Sequence, residues 1–313
     1  MENNKLLSNV LRQFREKKGL TQQMLVDGVV NSSLIPPSFS VVTYGRWERG
    51  VVPIQLKKAI IIIRWLQGDI RYFYDLVVKS GGFENKLSKL QSSKFDCFLD
   101  KINEAGERTA AYGFFTDAEL VVNTFINGKA SGSSHFSYES IVQLQRRLLG
   151  VKKEAYQEWV AKCKDTVFTK TILLTWNDSH LISHIHYSVC NHSKLLKLMN
   201  LFPSSEANLC HAHAHADEQF LVVSSFKPFH KKWNLSSISL IINEIVNNSR
   251  IVKIYVLSDS LEYSRLLMES FNGKMVGVLR NSSYKSIVTY MIEIEIHNFL
   301  TNPKIMMIYK NSI

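Results

Sequence analysis

Cysteine is sparse in this chain of 313 residues. There are four, Cys97, Cys163, Cys190 and Cys210. They lie too far apart for the short-spaced pairs of a metal site and fit buried reduced thiols better than a disulfide frame. Long apolar runs are missing as well: no stretch reaches eighteen such residues, and the N-terminus has no charged-then-apolar leader with a cleavage site. Both absences speak against membrane spanning and secretion and lead to the expectation of a cytoplasmic protein. The glycines, 14 in all, form no dinucleotide-binding turn and no phosphate loop ending in Gly-Lys-Ser or Gly-Lys-Thr. A serine elbow flanked by glycines and a His-Glu-x-x-His zinc helix are also lacking, which disfavours the enzymes built on those motifs. Acidic side chains are in the minority, 27 against 38 basic ones, for a formal net charge of +11 and a sequence pI of about 9.4.

That basic excess is local. Residues 1–68 hold ten Lys or Arg against four Asp or Glu, so more than half of the net charge sits in this short segment. Such clustering suits neutralisation of phosphates, with counterion release making the binding salt-dependent; a solvated basic face is the plainer alternative. With 45% hydrophobic residues the chain can bury one large core, or two or three smaller ones.

The same segment carries helix signals. From Lys5 to Lys18, Leu7, Val10, Leu11 and Phe14 recur at spacings of three and four, which predicts one inward stripe with Arg12, Arg15, Lys17 and Lys18 left in water. Gly19 can supply the left-handed turn that ends this helix. Thr21 is a natural N-cap for a second one that carries Met24 and Leu25 inward. Ser40 can cap a third, in which Tyr44 and Trp47 pack down and Val41, Val42, Thr43, Gly45 and Arg46 stay toward the exposed side. Gly50 stops it, and Pro53 opens a fourth helix, Ile54 to Leu66, whose run Ala59 to Ile63 is a core stretch too short to cross a bilayer.

Leu20-Thr21-Gln22 at the start of the second helix and Trp47-Glu48-Arg49-Gly50 at the end of the third resemble the Cro and phage-repressor (XRE-type) class of helix-turn-helix domains. The resemblance covers about residues 5–68. It implies that the third helix enters a DNA major groove with Ser40, Val41, Val42, Thr43 and Arg46 as reading positions, while the Gln22 end of the second meets phosphate. It also implies a homodimer on two half-sites of double-stranded DNA. The connection from Val29 to Phe39, with Pro36-Pro37, is longer than the family's usual tight turn. A small helical bundle used for protein contact is the alternative.

Residues 69–164 read as a mostly helical connector: Ile70 to Val78, a helix around Lys86 to Glu104, another around Asp117 to Phe125, and Tyr138 to Lys164. Asn127 to Phe136, rich in Gly and Ser, reads as a boundary or mobile loop. In the last helix Ile141, Leu144, Leu148 and Leu149 can pack within the chain or against a second copy. After Lys164 the texture changes. Val167 to Trp176 and Leu181 to Val189, joined by Asn177-Asp178-Ser179, predict a hairpin; Glu218 to Ser224 a buried strand; Ser236 to Val246 a helix; Val252 to Leu257 a strand; and Leu261 to Phe271 a helix. Lys274 to Leu279 reads as a strand, Val288 to Asn298 as a long β-type or helical run, and Ile305 to Tyr309 as a last strand. The expected fold is multidomain: an all-α helix-turn-helix head (1–68), the connector (69–164), and an α/β domain with a mixed sheet (165–313).

The order hairpin, strand, helix, strand, helix, strand, together with Val222-Val223 followed by Pro228-Phe229-His230-Lys231-Lys232-Trp233-Asn234-Leu235-Ser236, resembles the GNAT acetyltransferase fold. In that family, backbone amides at this helix start cradle the coenzyme A pyrophosphate, which by resemblance assigns Lys231, Lys232, Asn234 and Ser236 to an acyl-coenzyme A site. Asn234 and Ser236 stand where small or glycine residues are expected, and Lys231 where Arg or Gln is usual. Leu267 and Met268 occupy the region where the family commonly has a proton-donating tyrosine, so no catalytic residue is assigned.

His211, His213 and His215 alternate with alanine and would share one face of a strand, as would His184 and His186. Three imidazoles on one face can hold zinc or copper if the strand bends, since same-side neighbours are about 6.5–7 Å apart. A solvated or pocket-lining polar face and a pH-responsive patch are the other readings. The functional expectation is a sequence-specific transcriptional regulator whose C-terminal domain senses a small molecule or contacts a protein. An acyltransferase with a DNA-binding head, and an antitoxin-type repressor that holds a protein partner, are the alternatives.

Overall fold

The computed structural model describes residues 2–32, 34–79, 120–126, 129–130, 167–176, 180–199, 218–227, 231–280 and 288–311. The chain forms two compact units. One is built from Met1–Gln91, Ile241–Arg250 and His297–Ile313, the other from Ser92–Leu240 and Ile251–Ile296.

The first unit begins with five helices: α1 (Glu2–Lys17), α2 (Gln22–Asn31), α3 (Val41–Glu48), α4 (Leu56–Trp65) and α5 (Ile70–Lys79). Gly19 and Gly50 both take φ of +67°, where a side chain would be strained, and each closes the helix before it. Thr21 caps α2 by accepting from Met24 N, and Ser40 caps α3 by accepting from Thr43 N; each such cap stabilises by about 0.5–2 kcal/mol. The fourth helix starts later than its proline suggests, with Gln55 at the N-cap and Pro53 in the preceding loop. The core takes Val10 and Leu11 from α1, Leu25, Val26 and Val29 from α2, and Tyr44 and Trp47 from α3. Met24 is not part of it: that side chain is 53% exposed, because Leu25, Val26 and Val29 form the inward stripe. Residues 34–40 are no idle linker, since Ile35 and Phe39 are buried and Phe39 packs its ring on those of Tyr44 and Trp47. Gly28 lies so close to Trp65 that any Cβ there would collide with its ring, which fixes α2 against α4.

The second unit is an eight-stranded sheet. Its strands are β1 (Leu120–Ile126), β2 (Lys129–Ala130), β3 (Val167–Trp176), β4 (His180–Asn191), β5 (Gln219–Lys227), β6 (Ile251–Ser258), β7 (Lys274–Arg280) and β8 (Val288–Glu295), in the order β2-β1-β3-β4-β5-β6-β8-β7. With them go α6 (His192–Met199), α8 (Leu261–Phe271) and the first part of α7 (Lys231–Asn247), whose residues from Ile241 onward belong to the first unit. All pairs are antiparallel except β5 with β6, which α7 joins as a crossover. That parallel register ends at Val223 beside Val256, whereas β5 runs on to Lys227 along β4. The two parallel strands therefore part at their carboxyl ends.

The hairpin expected over 167–189, the strands at 219, 251 and 274, and the helix Leu261–Phe271 are all present. Two expectations are corrected. Asp117 to Phe125 is no helix: Leu120–Ile126 is β1, whose β-branched residues pair with β3 from Leu120–Trp176 to Ile126–Lys170. Ile305 to Tyr309 is no strand: Pro303–Lys310 is a helix, capped by Asn302, whose side chain accepts from Lys304 N and Ile305 N, with proline in its first turn. The helices expected around Lys86 to Glu104 and over Tyr138 to Lys164, most of the Asn127 to Phe136 stretch, and the Asn177-Asp178-Ser179 turn lie outside the described residues.

Late segments of the chain complete the first unit. After β8 come α9 (Ile296–Leu300) and α10 (Pro303–Lys310). Tyr74 of α5 donates its hydroxyl to Leu300 O at 2.7 Å, stacks on Tyr309 at 5.0 Å, and Tyr309 in turn donates to Asp75 Oδ1 at 2.6 Å. Arg64 of α4 donates to Ile245 O and Ser249 O, at 3.0 and 2.9 Å, closing the end of α7. The sequence expectation divides the chain at residues 68 and 164; in the contact pattern residues 1–91 share a unit with residues 241–250 and 297–313.

Candidate nucleic-acid interface

The third helix shows two unlike faces. Tyr44, Gly45, Trp47 and Glu48 are buried, whereas Val42 is 58% exposed and Arg46 and Arg49 are exposed. Gly45 departs from the expectation of an outward position: its Cα faces Gln22, and a Cβ there would lie 3.0 Å from the Gln22 Oε1 atom. Helical spacing aligns Val42, Arg46 and Arg49 as one outward stripe, at i, i+4 and i+7. Val41 and Thr43, half-buried, flank it. The exposed Ser40 uses its hydroxyl as the cap, 3.2 Å from Thr43 Oγ1.

What holds this face in place is an ion pair that periodicity does not disclose. Arg15, expected in water, is buried against Glu48, the last residue of α3: Nε donates to Oε1 at 2.7 Å and Nη2 to Oε2 at 3.0 Å. Arg15 Nη1 also donates to Leu20 O at 2.6 Å, tying the turn between α1 and α2 into the same knot. The amide of Gln22 donates to Glu48 Oε2 at 2.6 Å, so this residue is half-buried and braces the start of α2 on the end of α3. Burial and the neighbouring Glu48 carboxylate push the Tyr44 hydroxyl well above its usual pKa, and the carboxylate hydrogen bond does the same for the Arg15 guanidinium. Because Arg15 and Glu48 neutralise each other inside, the exposed charge nearest α3 is the cationic pair Arg46 and Arg49.

The residues singled out in the later domain are placed as follows. Lys231 and Lys232 open α7, Asn234 follows within it, and Ser236 is exposed on the same helix. They stand just past the carboxyl end of β5, beside the point where β5 and β6 part. Leu267 of α8 is buried. His211, His213 and His215 lie outside the described residues. Among those described, no cluster of three or more His, Cys, Asp or Glu is arranged to hold a metal.

His184 and His186 share one face of β4 as expected, yet both are buried, 3% and 5% exposed, and form no solvated patch. Burial, with His184 as a lesser cause, pushes His186 down to about 3. Its folded pKa thus lies below the unfolded value, so the stabilising effect of a neutral His186 is present above about pH 6.5 and is lost as pH falls toward 3. Between pH 6 and 5 this one group should account for about 1.2 kcal/mol of lost stability. Urea unfolding of His186→Gln beside the parent over that range should show a flatter pH dependence in the variant; parallel curves would assign the acid sensitivity elsewhere.

No helix among the described residues is long and apolar enough to cross a membrane. Comparison with family models, with curated proteins and with solved structures finds no match to the chain.

Proposed function

We propose that the chain is a sequence-specific DNA-binding transcriptional regulator whose α/β unit senses a small molecule or contacts a protein. The observation that carries this reading is the α3 stripe Val42–Arg46–Arg49, cationic and outward on a helix that the Arg15–Glu48–Gln22 knot holds against α1 and α2. Its dimensions and charge suit a major groove, and the Leu20-Thr21-Gln22 and Trp47-Glu48-Arg49-Gly50 motifs add the phage-repressor resemblance. In this reading Ser40, Val41, Val42, Thr43 and Arg46 face bases, the start of α2 at Gln22 faces phosphate, and two copies read two half-sites.

Selection of bound duplexes from a random pool at two salt concentrations tests it. A recurring, half-site-spaced sequence is expected, with affinity falling steeply as salt rises; recovery of no preferred sequence would sink the reading. On the selected duplex, Arg46→Ala should lose about 1–3 kcal/mol if the guanidinium reads a base pair. An equal loss on every duplex would move it to phosphate.

A second reading of the α/β unit is an acyl-coenzyme A site in a GNAT-like domain. Two features favour it: the strand and helix order on which that resemblance rests, and the parting of β5 and β6 at the end where α7 and α8 both begin. Ligands of open α/β sheets characteristically bind outside the carboxyl ends of parallel strands. Saturable acetyl-coenzyme A binding, lost when Lys231 and Lys232 are both changed to Gln, is the expected result; no binding at millimolar ligand would leave a sensor of another small molecule or a protein-contact module, including the antitoxin type.

A further inference from the structure

The outward stripe of α3 is selective in what it lacks. Its members are one isopropyl group and two guanidinium groups, Val42, Arg46 and Arg49, without a carboxylate or an amide. The nearest hydroxyls, Ser40 and Thr43, face each other at 3.2 Å, and Ser40 Oγ also accepts from Thr43 N. In a major groove the distinguishing donors, N6 of adenine and N4 of cytosine, call for an acceptor, whereas thymine offers a methyl group to an apolar side chain. Val42 has more than half of its surface in water and no core to fill. An exposed β-branched residue on a short helix is unfavourable for helix formation as well as for solvation. A partner is therefore the natural use of this side chain, and with Arg46 and Arg49 following it one and two turns on along the same face and no acid among them, the partner is a polyanion.

We infer that Val42 is a specificity residue of α3, beside Arg46, and that it reads the 5-methyl group of a thymine. This inference rests on the proposed DNA-reading role of α3 and names the base that role depends on. Packing one methyl against the isopropyl group should be worth about a fourfold difference in affinity, the equilibrium equivalent of removing one methyl-sized group from water.

The test uses the full chain and the duplex that it selects from a random pool. Each thymine is replaced in turn by deoxyuridine, which removes only the methyl, and affinity is read by fluorescence anisotropy at fixed salt. One thymine per half-site should weaken binding about fourfold for the parent. Val42→Ala, at an exposed position where alanine favours the helix, should bind the parent site more weakly and be indifferent to that replacement; its melting temperature confirms that it folds. Sequence-selective binding with no thymine sensitive to methyl loss overturns the inference while leaving the DNA-reading role intact. So does a Val42→Ala variant as sensitive as the parent. A parent chain with no selective binding at all removes the DNA-reading role and this inference with it.

Discussion

Glu48→Ala is expected to destabilise the helical head by about 3–5 kcal/mol, the range for removing one partner of a buried ion pair. The large value follows from what remains behind. Arg15 would keep Leu20 O and a distant Glu16 but lose both bonds of the fork, leaving a buried cation without its counter-charge. Gln22 would lose the acceptor that joins α2 to α3. Glu48→Gln keeps the shape and one acceptor oxygen, so its loss should be smaller, about 1–3 kcal/mol. Urea unfolding with an unchanged m value measures both, and a loss under about 0.5 kcal/mol for the alanine variant would show that the knot does not hold α3. Because the pair is shielded from solvent, the difference should persist in high salt. Replacing the pair together, Arg15→Met with Glu48→Leu, should recover most of the stability, since apolar groups of similar volume can match a buried ion pair.

That ion pair also marks where sequence reading stops. The four-helix skeleton of the head was legible because its stripes, caps and left-handed glycines are local signals: Val10 and Leu11, Thr21, Ser40, Gly19 and Gly50 all play their expected parts. Arg15 and Glu48 are 33 residues apart, and nothing in the period of either helix says that two charges meet in the interior. Met24 and Gly45 were misplaced for a related reason, as neighbouring helices decide which edge of an amphipathic stripe is covered. In the sheet, the strands and helices from Val167 to Phe271 were readable from alternation and turn residues except α6, His192–Met199, which no expectation covers, whereas β1 reads as a helix because its partner strand lies far along the chain. The last segment was misread for a local reason instead: Asn302-Pro303 is a helix start, outweighed by the apolar run after it. The outward face of α3 was foreseeable in outline, whereas the contact between the Ser40 and Thr43 hydroxyls beside it emerges only from the structure.

Arg64→Ala should loosen the same helical unit from a different side, by about 2–4 kcal/mol, because one carbonyl in the last turn of α7 and one in the turn after it lose their donor, and each unsatisfied group is worth about 1–3 kcal/mol. The guanidinium closes the end of α7 on Ile245 O and Ser249 O, and a cation at that pole is further favoured by the helix dipole. Burial pushes Arg64 down to about 9, still above neutrality, so the charged form makes these bonds at physiological pH. Lys cannot imitate it: an ammonium is a compact point charge on a flexible stem, whereas the fork reaches two carbonyls at once, so Arg64→Lys should recover only part of the loss. Native-state hydrogen exchange separates this from a general weakening. Amides of α5 and of the last turn of α7 should exchange faster in the variant, while those of β6 and β8, which pair with each other inside the sheet, keep their protection. Unchanged exchange in α5 and at the end of α7, with stability within about 0.5 kcal/mol of the parent, would mean that residues 241–250 do not complete the head. Loss of protection there, with intact sheet amides, would mean that the Arg64 bonds hold the end of α7 within the helical unit.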